Sequence, residues 1–530
     1  MTNKHSLPRP EAEGAKGNHR ARTVIIGAGP IGAEDVLAIA RGGARVELAA
    51  DLRARLGVGA QALADRIGAG ERVYGVTTGF GESCVTEVPD AHVPELPLNL
   101  LRFHGCGTGR IFDEVEAAAI VVARIASLAG GWSAVRPELV ERLCVLLNHR
   151  ALPRIPAEGS VGASGDLTPL SYIAALLVGE RECSYEGQVH SASAVLARLE
   201  LEPLRLAPKE SLAIMNGTSV MTALICLAIA RAERLGRLSA TITATASDAM
   251  AGNPAHFDAR IYAAKPHPGS IRYAGWVRDH LEYTPGPAFE GRIQDRYSIR
   301  CAPQIVGVLL DALAWMRAWT QVELNGANDN PLIDPDTGGA LHGGNFYGGH
   351  ACFVADALKN AVANLADLHD RQLALLCSSH SNAGLPENLN GRQGPDSAAH
   401  HGFKAMQIAA SALTAEALKL TMPASVFSRS TECHNQDKVS MGTIAARDAL
   451  RILELTEQVF AILVLAVAQA VDLRVRAGGS CRAQSLALRD AVRERVPFVD
   501  ADRRQDGDIA AILAMLRADE LLPRLDTNQV

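Results

Sequence analysis

The spacing of hydrophobic residues follows the helical period over most of the chain. From Asp113 onward, apolar side chains return every three or four residues, which predicts amphipathic helices. Long helical stretches are expected over 303–325, 350–378 and 402–420, with another over about 439–472. Helices of this length favour a bundle in which they pack near-parallel, at roughly 20° to one another.

The same pattern divides the chain into four parts. Residues 1–20 are polar and are expected to form a disordered tail. Shorter helices and glycine-rich loops are expected to form an N-terminal domain over 21–220, before the central bundle over 221–475. Shorter, more charged helices are expected over 476–530. The sequence therefore predicts a mostly α fold, a bundle of long near-parallel helices joined to an N-terminal domain.

Composition narrows the classes of function. Aromatic residues make up only 4% of the 530 residues and Ala and Leu are abundant, which favours helices over sheets. A net charge of −6 without a long basic run does not suggest a nucleic-acid partner. The ten cysteines show no CxxC and no zinc spacing, and no secretory segment begins the chain, so we expect no metal and a reducing cytoplasm.

The most apolar run of the chain, Val459 to Ala468, is a candidate for a membrane segment or a buried helix. It is about half as long as the ~20 residues that a spanning helix needs. We therefore expect a buried helix and no membrane association.

A glycine pattern near the start of the chain resembles a dinucleotide site. Gly27, Gly29 and Gly32 fit GxGxxG after an apolar run, and Glu47 or Asp51 follows at about the distance of a ribose-binding acid, ~20 residues. The sequence that follows does not continue as alternating strands and helices. A short strand, a turn and a capped helix is the alternative structure for this segment.

The segment that runs from Gly159 to Leu167 holds unusual chemistry. A glycine-rich turn before a helix normally exposes N–H groups to an anion, and for its tripeptide alone a plain turn is the ordinary interpretation. Because glycine has no Cβ, however, the Gly165 nitrogen can approach the Ala163 carbonyl closely. Attack there with loss of one water, followed by loss of a second water from Ser164, would give a five-membered electrophilic ring that no ordinary side chain supplies.

Two other classes of function fit the sequence less well. A serine hydrolase needs GxSxG at its nucleophile, but Asp166 stands where the second glycine must be. A non-catalytic helical scaffold would not require the polar segments that interrupt the helical pattern. These segments are 74–81, 163–165, 216–219, 294–300, 325–331, 342–346 and 432–437.

Taken in this order and spacing, the polar segments resemble those of the aromatic amino acid ammonia-lyase family, which includes the histidine, phenylalanine and tyrosine ammonia-lyases and related aminomutases. The resemblance covers about residues 22–525. It implies a mostly α fold of the fumarase/aspartase-like type. It also implies a homotetramer in which each site is built from several subunits, with a small amino acid as substrate.

The resemblance assigns roles to the most distinctive residues. Ala163, Ser164 and Gly165 would cyclise on their own into 4-methylideneimidazole-5-one (MIO), so neither a metal nor a nucleotide is implied. Tyr74 would be the base that removes the β-proton; because a free Tyr has a pKa of ~10, the site must stabilise its phenolate. Asn216 would hydrogen-bond the carbonyl of the prosthetic group.

Substrate binding is expected from further positions of the same segments. Arg300 would hold the substrate carboxylate in a two-pronged ion pair, and Asn325 would assist it. The other matching positions would support binding or catalysis, and they are Gln294, Tyr297, Phe346, Glu432, Asn435 and Gln436. Of these, Tyr297 is counted among the catalytic residues.

Two positions bear on the substrate. Phe103-His104 stands where the family has Phe-Leu in phenylalanine enzymes, His-Leu in tyrosine enzymes and Ser-His in histidine enzymes and some tyrosine aminomutases. Histidine enzymes carry Glu-Asp where this chain has Gln436-Asp437. The sequence therefore favours tyrosine slightly over phenylalanine, with a trans-cinnamate-type acid as product. The alternatives are histidine ammonia-lyase, which gives urocanate, and a tyrosine or phenylalanine 2,3-aminomutase.

Overall fold

The computed structural model describes residues 22–286 and 291–521, and the predicted tail over 1–20 lies outside them. The chain is mostly α, as the hydrophobic pattern predicts. Its helices are α1 (Ala33–Ala40), α2 (Leu52–Gly68), α3 (Leu96–Phe103), α4 (Glu114–Leu128), α5 (Pro137–Asn148), α6 (Leu167–Leu177), α7 (Ala192–Arg198), α8 (Glu210–Met215), α9 (Ser219–Ala249), α10 (Ala259–Ala264), α11 (Pro268–His280), α12 (Tyr297–Arg300), α13 (Ala302–Asn325), α14 (Gly349–Cys377), α15 (Lys404–Lys419), α16 (Gly442–Arg476), α17 (Ala483–Arg493) and α18 (Asp506–Arg517).

The strands are short and form small separate sheets. They are β1 (Arg22–Ile26), β2 (Ala44–Leu48), β3 (Thr108–Ile111), β4 (Leu152–Pro153), β5 (Pro156–Glu158), β6 (Glu182–Tyr185), β7 (Gln188–Ser191), β8 (Leu332–Ile333) and β9 (Ala340–Leu341). β1 pairs with β2 in parallel, whereas β3–β5, β4–β6–β7 and β8–β9 are antiparallel. The hydrophobic pattern did not predict these pairings.

Long helices form the core. α16 packs against α9, α14 and α15, and α13 packs against α9 and α14. With 35 residues, α16 is about 52 Å long. The apolar run from Val459 to Ala468 lies in its middle and is buried throughout, as expected of a core helix. By length and composition alone, Tyr297–Asn325 and Gly442–Arg476 could also cross a membrane.

Local sequence explains where the helices begin. α4 starts with a capping box in which Asp113 accepts hydrogen bonds from the N–H groups of Val115 and Glu116 at 2.9 and 2.8 Å. The Glu116 carboxylate in turn accepts from the Asp113 N–H at 2.9 Å.

The predicted domain boundary at 220/221 falls in the first turn of α9, and the one at 475/476 falls at the end of α16. The division into domains itself stays a prediction.

The GxGxxG segment forms the turn between β1 and α1. Unlike the single short strand considered from the sequence, β1 has a parallel partner, β2. Within the described residues the pair gains no third strand. At the start of α1, the Asp35 carboxylate accepts the Gly32 N–H at 2.9 Å. A carboxylate thus lies where a dinucleotide site would hold a phosphate.

Candidate active site

Several of the predicted polar segments meet around one cavity, which has a volume of about 810 Å³. Its walls come from loops of the N-terminal region and from the segment before α16. Predicted site residues that line it are Tyr74, Phe103, His104, Ala163, Ser164, Asn216, Phe346, Glu432, Asn435 and Gln436. The lining also includes Phe80, Asn330 and His342, which belong to the predicted segments but were given no role, and Leu100 and Leu212, which lie outside those segments.

The loop that carries Ala163-Ser164-Gly165 has a backbone that requires glycine. Gly165 has φ +73°, and a Cβ there would lie 2.1 Å from the carbonyl oxygen of Gly217. The next residue, Asp166, donates its N–H to that same carbonyl at 2.8 Å. The loop therefore packs directly against the junction between α8 and α9.

A buried carboxylate fixes this loop. Asp166 accepts hydrogen bonds from the N–H groups of Val220 and Met221 at 3.0 and 3.1 Å, in the first turn of α9. It also accepts from the hydroxyls of Ser160, at 3.1 Å, and Thr443. Burial raises the pKa of Asp166 to about 6, against the effect of these hydrogen bonds. The loop is thereby held between the first turns of α9 and α16.

The residues around Ser164 suit the proposed prosthetic group. Asn216 ends α8, and its Nδ2 donates to the Ser164 carbonyl at 2.8 Å. That carbonyl is the one that the cyclised ring would keep. Asn216 Oδ1 is buried without a hydrogen-bond partner among the described residues. Gln436 Nε2 donates to the Ser164 hydroxyl at 3.2 Å, so that polar groups from two segments converge on this residue.

Tyr74 faces the cavity with its hydroxyl held by the backbone. The Gly81 N–H donates to the Tyr74 oxygen at 2.8 Å. Burial raises the pKa of Tyr74, the Gly81 hydrogen bond opposes that rise, and the Glu432 carboxylate adds to it. Glu432 itself accepts the Glu82 N–H at 3.0 Å. The phenol therefore lines the cavity with one donor that favours its ionised form.

His104 presents one acceptor. Its Nδ1 lies 3.0 Å from the Leu100 carbonyl, which can only accept, so Nδ1 carries the hydrogen. Burial lowers the pKa of His104, which favours the neutral ring. Nε2 is then left as an acceptor. The ring of Phe103 lies 4.4 Å from that of His104, centroid to centroid, and is 59% exposed.

Three predicted residues lie away from this cavity in the single chain. Gln294, Tyr297 and Arg300 belong to α12 and the loop before it and are not among the cavity's lining residues. Arg300 Nε donates to the Asp295 carbonyl at 3.0 Å, and its guanidinium lies 4.6 Å from the centre of the Tyr297 ring. Tyr297 is 70% exposed. Arg300, which is half-buried, is therefore not part of the cavity that Ser164 lines within one chain.

Asn325, expected to assist Arg300, is not among the residues that line the cavity within one chain. Its side chain accepts the N–H of Ile31 and donates to the Ile31 carbonyl, each at 2.9 Å, at the end of α13. From the same polar segment, Asn330 lines the cavity instead, and its Oδ1 accepts the Gly343 N–H at 2.9 Å. The segment contains three asparagines, and only their positions in the fold distinguish them.

Comparison with known proteins assigns the family. The model of the family described as aromatic amino acid lyase matches residues 31–494. The chain belongs to this family. It is accordingly a carbon–nitrogen lyase, and the resemblance seen in the sequence is confirmed.

Relatives within the lyase family match nearly the whole chain. Histidine ammonia-lyase of Sorangium cellulosum is 37% identical over 508 residues, which cover 94% of this chain and 98% of the relative. Histidine ammonia-lyase of Aromatoleum aromaticum is 40% identical over 461 residues, 86% of each chain. Both relatives are thus named as histidine enzymes.

Solved structures of lyases and aminomutases share the fold. Tyrosine aminomutase from Streptomyces globisporus has a TM-score of 0.88 and 35% identity, over 94% of this chain and 98% of that one. Phenylalanine aminomutase of Pantoea agglomerans has a TM-score of 0.86 and 30% identity, over 93% and 98%. The mostly α, fumarase/aspartase-like fold is thereby confirmed.

Proposed function

We propose that this lyase eliminates ammonia from an aromatic L-amino acid by means of MIO formed from Ala163, Ser164 and Gly165. The observation that carries the proposal is the hydrogen bond from Asn216 to the Ser164 carbonyl, beside a Gly165 that no other residue can replace. The electrophile that such a group supplies makes the substrate amine a better leaving group. No metal enters the proposal.

The chain's own residues supply the remaining steps. Tyr74 removes the β-proton of the substrate, and the Gly81 N–H stabilises the phenolate that this requires. Asn216 stabilises negative charge on the carbonyl that it binds. Phe80, Leu212 and Phe346 give the cavity apolar surface that suits a planar ring.

Histidine is the first candidate substrate. Support comes from the relatives named histidine ammonia-lyase, which match nearly the full length of the chain. His104 suits this substrate, because its Nε2 can accept a hydrogen bond from an imidazole N–H. Urocanate would be the product.

Tyrosine is the second candidate, favoured by two side chains. Gln436 stands where the sequence analysis places a glutamate in histidine enzymes, and Phe103 adds an aryl wall. A phenol hydroxyl can donate to His104 Nε2 as an imidazole can, whereas phenylalanine has no group to donate. Aminomutase structures among the neighbours keep a 2,3-aminomutase as an alternative outcome of the same chemistry.

We further propose that the active site is shared between subunits of a homotetramer. Its support is the separation of Arg300 from the cavity within one chain. Arg300 of one subunit would bind the substrate carboxylate in the cavity of another. Mixing Tyr74→Phe with Arg300→Gln protein under conditions that allow subunit exchange should restore activity that neither has alone. No restored activity after proven exchange would place both residues in the same chain's site.

The cytoplasmic location also stays a prediction. All ten cysteines are free thiols, which suits a reducing compartment.

One experiment tests the activity. The purified protein is incubated separately with L-histidine, L-tyrosine and L-phenylalanine, and products are followed by mass and ultraviolet absorbance. An unsaturated acid with equimolar ammonia supports a lyase, and a β-amino acid isomer supports an aminomutase. Turnover of none of the three would contradict the proposal for aromatic amino acids.

A further inference from the structure

A group of buried polar side chains lies inside the helix bundle, away from the cavity. Ser239 and Thr243 come from α9, Tyr273 from α11, and His369 and Gln372 from α14. Each of these five is fully buried. Unpaired polar groups at such positions are costly, so their hydrogen bonds must be accounted for one by one.

The carbonyl oxygen of Ser298, in α12, fixes the orientation of the Gln372 amide. Ser298 O lies 2.8 Å from Gln372 Nε2, and a carbonyl can only accept, so this atom is the donating amide nitrogen. Gln372 Oε1 then faces His369 Nδ1 at 3.0 Å, which must carry the hydrogen. His369 is thus assigned as the Nδ1–H tautomer, and its Nε2 is left as an acceptor.

The remaining hydrogens follow in sequence. Ser239 donates its hydroxyl hydrogen to His369 Nε2 at 2.8 Å. With that hydrogen used, the Tyr273 hydroxyl donates to Ser239 Oγ at 3.0 Å, and Thr243 donates to the Tyr273 oxygen at 2.9 Å. Thr243 Oγ1 accepts from Gln372 Nε2 at 2.9 Å, which closes a ring in which every donor points the same way.

This ring leaves one amide hydrogen over, and that hydrogen goes to α12. Gln372 Nε2 has two hydrogens; one enters the ring and the other reaches Ser298 O. Ser298 lies between Tyr297 and Arg300 in this single-turn helix. Burial lowers the pKa of His369 to about 3, so the ring keeps the neutral histidine that its hydrogen-bond order needs.

We propose that Gln372 is a positioning residue that, through the ring, anchors α12 and so sets the direction of Arg300 for binding the substrate carboxylate. The assignment of Arg300 rests on the proposed function. The anchoring itself rests on the hydrogen bond to Ser298. α12 has only four residues and is joined through Cys301 to α13, so the bond from Gln372 adds to the hold that α13 and the buried Ile299 give it.

The test compares Gln372→Met with Gln469→Met. Both glutamines are fully buried and donate to a backbone carbonyl at 2.8 Å, but Gln469 reaches Val499, remote from α12 in sequence. In Gln372→Met we expect the amides of 297–301 to exchange with deuterium about tenfold faster than in the control variant. Equal exchange in the two variants would overturn the anchoring, whichever amino acid the protein acts on.

Kinetics test the consequence for Arg300. If the protein acts on one of the three amino acids, Gln372→Met should raise KM about tenfold, with kcat within about twofold of the parent. The inhibition constant of the product acid should rise by the same factor, because it shares the carboxylate. Equal fractional losses in both variants would show a general structural role and overturn the proposal.

A milder variant covers the case in which Gln372→Met does not fold. Tyr273→Phe removes one hydroxyl from the ring and leaves the bond from Gln372 to Ser298 in place. It should speed the exchange of 297–301 and raise KM in the same direction, by a smaller factor. An unchanged exchange rate and KM in this variant would mean that the ring does not support α12.

Discussion

The side-chain amide of Asn216 donates a hydrogen bond to the carbonyl of Ser164 at 2.8 Å. This hydrogen bond joins the end of α8 to the loop in which the prosthetic group is proposed to form. Since the carbonyl would gain negative charge during the reaction, the donor acts mainly in the transition state.

Asn216→Ala should therefore lower kcat strongly. Removal of one such donor costs about 10²–10³-fold in kcat. Asn382→Ala is the matched control, because Asn382 is also buried and its Nδ2 donates to the Leu376 carbonyl at 3.0 Å, outside the cavity lining. Steady-state kinetics and melting temperatures distinguish a loss of catalysis from a loss of stability. Similar kcat values in both variants would show that Asn216 has no catalytic role.

Tyr74 and Glu432 predict a pH dependence. The proposed base is the Tyr74 phenolate, and burial together with the Glu432 carboxylate raises the pKa of Tyr74. Activity should therefore increase as the pH rises toward that pKa. Glu432→Gln removes a negative charge that opposes ionisation, so the increase should begin at lower pH. The pH profiles of kcat/KM measure this.

Tyr74→Phe should lack this increase and lose about 10²–10⁴-fold in rate. Tyr283→Phe is its control, because the Tyr283 hydroxyl donates to Asp258 and not into the cavity. A Glu432→Gln profile that coincides with the parent's would show that Tyr74 is not the titrating base.

His104 and Gln436 predict the order of substrates. His104→Leu removes the acceptor for a donating ring, so kcat/KM for histidine and tyrosine should fall relative to that for phenylalanine. The change corresponds to about 1–3 kcal/mol of activation free energy. Gln436→Glu provides a carboxylate that suits an imidazole, so it should raise kcat/KM for histidine relative to tyrosine by about tenfold. Competition assays with substrate pairs measure both ratios. Constant ratios would show that neither side chain contacts the ring.

The two asparagines of one polar segment predict opposite phenotypes. Asn330→Ala should impair activity because Asn330 lines the cavity. Asn325→Ala unpairs the N–H and carbonyl of Ile31 and should instead lower stability, by about 1–3 kcal/mol for each group left buried and unpaired. Denaturant unfolding and kinetics of both variants decide this. A stable but inactive Asn325→Ala variant would restore the role expected from the sequence.

The long helices could be predicted because each buries an apolar stripe. The stretch expected over 350–378 is found as Gly349–Cys377, and the one over 303–325 as Ala302–Asn325. The parallel pairing of β1 with β2 was missed, because only five residues pair and their partners lie 22 positions apart, as in Val24 and Val46.

The site was predictable only in part, because the local sequence marks distinctive segments but not the contacts between distant ones. Tyr74, Ser164 and Asn216 stand in distinctive segments, and the fold brings them to one cavity. The contact of Asn325 with Ile31, 294 residues away, leaves no mark in the local sequence, so the sequence could not show that its side chain is engaged there. Likewise, the pattern around Arg300 cannot show that the residue lies apart from its own chain's cavity.

The intact mass of the purified protein tests the central claim most directly. The account predicts a mass two waters below that of the encoded chain, with the loss mapped to a peptide that contains 163–165. Ser164→Ala should restore the encoded mass, apart from its own substitution, and abolish nearly all activity. A parent protein that is fully active at its encoded mass would contradict the account.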